Sequence, residues 1–98
     1  MNYPLPENKE DRQLALEELT AELNKRNDLK SVIKIEPLHY GNWFARLSFN
    51  REIISAKLVE LWIKKFGKYD VAHPHSNPPN LAIDIAIAYN KPITGYIY

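Results

Sequence analysis

The stretch Leu81-Ala82-Ile83-Asp84-Ile85-Ala86-Ile87-Ala88-Tyr89 alternates without a break. On an extended backbone Leu81, Ile83, Ile85, Ile87 and Tyr89 share one side, and Ala82, Asp84, Ala86 and Ala88 the other. Wound as a helix, the same residues would be apolar on nearly every side. A chain of 98 residues has little with which to cover such a helix. The period of two therefore predicts a strand over 81–89, and an α+β fold around it.

On the C-terminal side, Asn90-Lys91-Pro92 reads as a turn and "ITGYIY" (93–98) as a last strand. On the N-terminal side lies His73-Pro74-His75-Ser76-Asn77-Pro78-Pro79-Asn80. Its three prolines fix φ and keep the residues before them out of the helical region, so this run is a stiff, polar connection. "KYDVAH" (68–73) before it is a short strand.

Gly67 is a natural stop for a helix that starts after Asn50, a good N-cap. That helix, "REIISAKLVELWIKKF", is unusually apolar: Ile54, Leu58, Val59, Leu61, Trp62, Ile63 and Phe66 cover well over half its circumference. A helix lying on a sheet needs a narrower stripe. The excess implies a cover on a second side or an interface. Trp62, near the centre of the arc, is the expected core anchor.

Further upstream, "SVIKIEPL" (31–38) and "NWFARLSF" (42–49) both alternate, with "PLHYGN" supplying the turn. They predict a β-hairpin that buries Trp43, Ala45, Leu47 and Phe49 and leaves Phe44, Arg46 and Ser48 on the open face. The first helix is expected from Lys9 to Arg26, capped by Asn8, with Leu16, Leu19, Leu23 and Ala15 inward. Leu14 and Ala21 fall on the opposite side, either as isolated surface apolar residues or as a second contact. Residues 1–7 read as an extended lead-in, since Pro4 and Pro6 oppose helix. The order is α-β-β-α-β-β-β in a single domain spanning 1–98, with two helices packed on one face of a mostly antiparallel sheet of four to five strands.

Composition narrows the function. The chain has no cysteine, which removes disulfides, thiol nucleophiles and Cys-zinc sites. It has no apolar run of membrane-spanning length and no signal-peptide pattern at its start, so a soluble, cytoplasmic protein is the expectation. The net charge is +1 but unevenly placed. Residues 1–29 hold four basic and seven acidic groups; residues 30–98 hold nine basic and five acidic. This reads as an acidic helix beside a mildly basic body.

Few residues offer chemistry. His73 and His75 point to one side of an extended chain and could share a metal, with His39 as a third ligand and Asp70 or Asp84 as a carboxylate. Nothing in the spacing requires it, and loop histidines are usually solvated. Ser76 lacks the glycines and setting of a nucleophile elbow. Three glycines in the chain leave no phosphate-cradling loop. Asp84 stands on an alanine face, as one member of a wet face, as a partner for a lysine, or as a functional carboxylate in a hollow of small residues. No cofactor is implied.

The tail 81–97, "LAIDIAIAYNKPITGYI", resembles a helix–strand segment of nucleoside deoxyribosyltransferase-like and TIR-like domains. Ala82, Asp84, Ala88, Lys91 and Pro92 carry the likeness. Asp84 stands where those families have a glutamate, and no glycine precedes Lys91. The resemblance implies a helix over this segment and Asp84 as a nucleophile toward a nucleoside-type substrate.

Two binding readings remain. Tyr40, Trp43, Phe44 and Phe49 lie among Lys34, Arg46 and Arg51, a mixture that can stack and neutralise nucleic acid. Alternation, however, assigns two of these rings to the core. Protein-partner binding has more behind it: the wide apolar belt of the second helix, and an aromatic C-terminal strand able to act as a sheet edge. The expected contact residues are Trp62, Tyr96, Tyr98, Tyr40 and Phe44. The resulting expectation is a small interaction module that forms a homodimer. It would be an inhibitor, adaptor or regulator of the kind that mobile elements and viruses encode, an association from size alone.

Overall fold

In a computed structural model the structure describes residues 9–74 and 77–88. The described residues form helix α1 (Lys9–Asn24), a one-turn helix α2 (Asn27–Lys30), strands β1 (Lys34–Tyr40) and β2 (Trp43–Asn50), helix α3 (Ala56–Lys64), and strands β3 (Tyr69–Ala72) and β4 (Asn80–Ile87). The strands make one antiparallel sheet in the order β1-β2-β4-β3. The fold is α+β, as the sequence predicts. The proposed last strand, 93–98, the Asn8 cap and the lead-in lie outside the described residues.

Residues 80–87 are a strand, and a central one, paired with β2 on one side and β3 on the other. This removes the helix that the resemblance to deoxyribosyltransferase-like and TIR-like domains requires. The cause is the alternation itself: Ile83 and Ile85 enter the core while Asp84 and Ala86 face the other way.

All three helices pack on one face of the sheet. Leu19 and Leu23 of α1, Leu29 of α2, and Val59, Trp62 and Ile63 of α3 share a single core with Leu47, Phe49, Ile83 and Ile85. Four rings run through it in sequence. Trp62 meets Phe66 edge-on at 5.6 Å, Phe66 meets Tyr69 at 5.9 Å, and Tyr69 meets Phe44 at 5.3 Å between centroids. That chain of rings links α3 to β3 and β2.

Three local features depart from the expected elements. First, α1 ends at Asn24 rather than Arg26. Arg26 is extended (φ −103°, ψ 92°), its guanidinium is held by the Asp28 carboxylate, and the chain restarts as α2 to bury Leu29. Second, α3 begins at Ala56 rather than just after Asn50. The Asn50 side chain accepts from the Glu52 N–H at 2.8 Å and its carbonyl accepts from Ile53 and Ile54, closing a turn. Ser55 then caps the helix, its hydroxyl accepting from the Leu58 N–H at 3.1 Å. The helix stop is where expected, with Gly67 at φ +71°.

Third, β2 carries a bulge. Trp43 pairs with Ala86 and Ala45 with Ile85, so two steps on β2 answer one on β4 and Phe44 is the extra residue. The bulge exchanges the two aromatic neighbours. Phe44, expected on the open face, is buried at 1% exposure against Tyr69. Trp43, expected in the core, shares the side of Ala86 and is half-buried.

The turn of the hairpin is Gly41-Asn42, with Gly41 at φ +58°, a left-handed conformation that a two-residue hairpin loop needs. Arg12 of α1 donates to the Gly41 carbonyl at 2.8 Å, and the Asn42 side chain donates to the Ile87 carbonyl, so this end of the sheet is tied to both layers.

Trp62 is the test of the core. It is 6% exposed and stacked edge-on with Phe66. Trp62→Ala should lower stability by about 3–5 kcal/mol in chemical denaturation. An unchanged midpoint would show that the ring chain does not hold α3 to the sheet.

Candidate functional site

The face of the sheet turned away from the helices is polar at its centre. In antiparallel strands, directly opposed residues point to the same side. A row runs across the sheet through Glu36, Arg46, Asp84 and Ala72, each opposite the next. Ser48 and Ala82 form the next pair, and Ala86 lies between Trp43 and Asp70. Arg46 donates to both carboxylate oxygens of Asp84, at 2.7 and 3.0 Å. The Asp84 side chain is 7% exposed and that of Arg46 36% exposed.

This arrangement settles the position of Asp84. Its neighbours are small, as the alternation with alanine predicts, but its carboxylate is engaged by a two-pronged arginine rather than by a lysine. A carboxylate with both oxygens held by a guanidinium is a weakened nucleophile, since the arginine stabilises its charge and occupies one lone pair on each oxygen. The geometry is that of a structural ion pair.

At the hairpin end of this face Tyr40 and Trp43 lie together, with ring centroids 6.5 Å apart and planes tilted by 31°. Tyr40 is 53% exposed. The four aromatic residues that suggested base stacking are thereby divided, since Phe44 and Phe49 are buried. Arg46, the central cation of the set, is neutralised by Asp84.

His39 and His73, the two described histidines, stand at opposite edges of the sheet. His39 is exposed on β1. His73 lies beyond β3 and meets Glu60 of α3 at 2.9 Å. That contact is the main reason the Glu60 carboxyl is held below the usual carboxylate range. His75 lies outside the described residues. Among the described residues no three His, Asp or Glu side chains are grouped so as to hold a metal ion.

Of the residues expected to meet a partner, Trp62 and Phe44 are buried in the chain's own core: Trp62 is the core anchor that the sequence predicts, whereas Phe44 is not on the open face where alternation puts it. The alternation that placed Phe44 outside is interrupted by the bulge, and the arc that includes Trp62 is partly covered by the sheet. Tyr40 is exposed. Tyr96 and Tyr98 lie outside the described residues.

Besides Tyr40, the structure exposes large apolar residues on the wide belt, in the turn before it and on α1. The apolar belt of α3 divides in two. Val59, Trp62 and Ile63 are buried, whereas Leu58 and Leu61, one turn apart on the flank, are 47% and 54% exposed. Ile53, in the turn before the helix, is 65% exposed, and Leu14 on α1 is 59% exposed. The projection of α3 marked the belt as too wide, but not which part lacked a cover. No helix among the described residues is long and apolar enough to cross a membrane. Compared with protein-family models, curated proteins and solved structures, the chain gives no match in any of the three.

Two measurements test the polar and aromatic parts of this description. Arg46→Met strands a nearly buried carboxylate and should cost about 2–4 kcal/mol, somewhat less than a fully buried pair because water reaches the arginine. Arg46→Met/Asp84→Ala should recover more than half of that loss in urea titrations. Equal losses in the single and double variants would show that Asp84 is not shut in.

Tyr69 is 7% exposed, and burial pushes its phenol above the ordinary value. The folded chain then keeps a proton that the unfolded chain releases above pH about 10, so stability falls as pH rises through that value. Tyr69→Phe should match the parent near neutrality and lose less between about pH 9 and 11. Identical alkaline slopes would contradict the burial of the hydroxyl.

Proposed function

We propose that this chain is a protein-protein interaction module that associates with itself through the outer flank of α3. The carrying observation is the exposure of Leu58 and Leu61 on a helix whose other apolar residues are buried. A single surface leucine needs no explanation. Two leucines one turn apart, following an exposed isoleucine, make a surface that gains from being covered. Burying a fully exposed leucine contributes about 1.5–3 kcal/mol, and about half of that remains to be gained at each of these half-exposed side chains.

The other face of the sheet gives less support to binding. Its central charges satisfy each other, and among the described residues its exposed aromatic side chain is Tyr40, with the half-buried Trp43 beside it. An inhibitor, adaptor or regulator that acts as a homodimer fits a chain whose described residues leave two leucines open on a helix flank.

Sedimentation equilibrium over about 1–100 μM is the direct measurement, a range matched to a surface of this modest size. The parent chain should be a dimer in the upper part of the range. Leu58→Glu/Leu61→Glu should be monomeric throughout, with its melting temperature little changed because both side chains are already exposed. A parent chain that stays monomeric, or a double variant that dimerises as the parent does, would overturn the reading.

A further inference from the structure

We infer that the partner is a second copy of this chain docked helix layer to helix layer about a two-fold axis, with α1 of each copy lying on α3 of the other. This inference rests on the self-association reading and adds its orientation. It stands on the way charge is divided between the two helices.

The α1 helix carries Lys9 and Arg12 against Glu10, Asp11, Glu17, Glu18 and Glu22. Several of these are engaged within the chain. Arg12 is turned toward the Gly41 carbonyl, Glu18 holds Lys68 at 3.0 Å, and Glu22 meets Lys25. Glu10 and Glu17 are exposed, and with Gln13 they border a shallow depression around Leu14. They stand four residues before and three after that leucine, on its own face of the helix.

The α3 region has the opposite sign. Lys57, Lys64 and Lys65 are exposed around Leu58 and Leu61, and the single carboxylate of the helix, Glu60, is taken by His73. Lys65 lies four residues after Leu61, on the same flank. One helix therefore presents a leucine bordered by carboxylates. The other presents two leucines bordered by ammonium groups.

Both helices lie on the same face of the sheet, with α1 packed on β1 and β2 and α3 on β3. A two-fold contact needs a surface complementary to itself, in which each half meets the other half of its partner. A helix layer with one acidic and one basic half meets that condition. Turned by a half rotation, Glu10 and Glu17 come onto the lysines of α3, and Leu14 onto the Leu58–Leu61 flank. The contact occurs twice and closes as a dimer. The opposite choice, α3 on α3, would bring lysines together, and like charges facing each other disfavour that register.

The test uses two charge-reversed chains, Glu10→Lys/Glu17→Lys and Lys57→Glu/Lys65→Glu. Each alone should form its homodimer about tenfold or more weakly than the parent, because both of its two contacts become like-charged. Mixed in equal amounts, they should form a mixed dimer in preference to either homodimer, since both contacts are again of opposite sign. With one of the two chains uniformly labelled with nitrogen-15, native mass spectrometry separates the three species by mass. Should reversal in the first turn of α1 loosen that helix, seen by circular dichroism, Glu17→Lys alone gives the same readout against the α3 variant.

Parent dimers should also weaken as salt rises from about 0.05 to 0.5 M, since rim charges are screened over a few ångströms at the upper value. Reversed chains that dimerise as the parent does, or a mixture without preference for the mixed dimer, would overturn the orientation. In that case Leu58→Glu/Leu61→Glu still decides whether the α3 flank is the contact. A parent chain that is monomeric in every condition removes both.

Discussion

A carboxylate in the central strand of a sheet has to be paired, and the arrangement of this sheet follows from how that is done. Asp84 sits in β4, between β2 and β3, and is 5% exposed. Unpaired, it would be shifted toward its neutral form or would destabilise the strand by several kcal/mol. Arg46 supplies two donors at 2.7 and 3.0 Å. It can do so only because β2 lies directly beside β4, in the register that sets Arg46 opposite Asp84. A slip of one residue would turn Ile83 and Ile85 out of the core and bring Asp84 in. The ion pair on one face and the isoleucines on the other thus specify the same register.

The bulge at Phe44 is consistent with this constraint. Beyond Ala45 the two strands run in step, and the pairs from Ala45–Ile85 to Asn50–Asn80 keep their sides. Before it, the extra residue lets Phe44 turn inward to close the chain of rings from Trp62. Trp43 turns outward beside Tyr40. The helix-bearing side gains an aromatic side chain at the point where β2 passes the start of β3.

Much of this was legible from residue patterns, because patterns of period two and 3.6 report which side of an element is dry. The strand through Ile87, the hairpin, the helix from Lys9 and the stop at Gly67 are all visible in this way. The bulge was not, since one inserted residue leaves the composition of "NWFARLSF" unchanged and is set by what Phe44 meets across the sheet. Nor was the pairing of Arg46 with Asp84: each was assigned to an outward face, but their meeting depends on strand order. The pattern places the start of α3 too early because Asn50 and Ser55 are both good caps, and the turn closed by Asn50 decides between them. The one turn of α2 was too short to show a period.

The excess apolar width of α3 was legible, but whether it was covered from within was not. Coverage depends on which neighbour each flank meets, and α3 leans on β3 with Glu60 turned toward His73. That polar contact fixes one flank at the sheet edge and leaves Leu58 and Leu61 on the flank without it. The charge division between the helices has a similar origin. Acidic residues early in α1 complement the positive end of its dipole, and Lys64 and Lys65 complement the negative end of α3. Helix-terminal charges placed for local stability thus also border the open leucines. Glu10 and Lys65 serve a helix end as well as bordering a leucine, whereas Glu17, in the middle of α1, and Lys57, in the first turn of α3, are not placed by the helix dipoles.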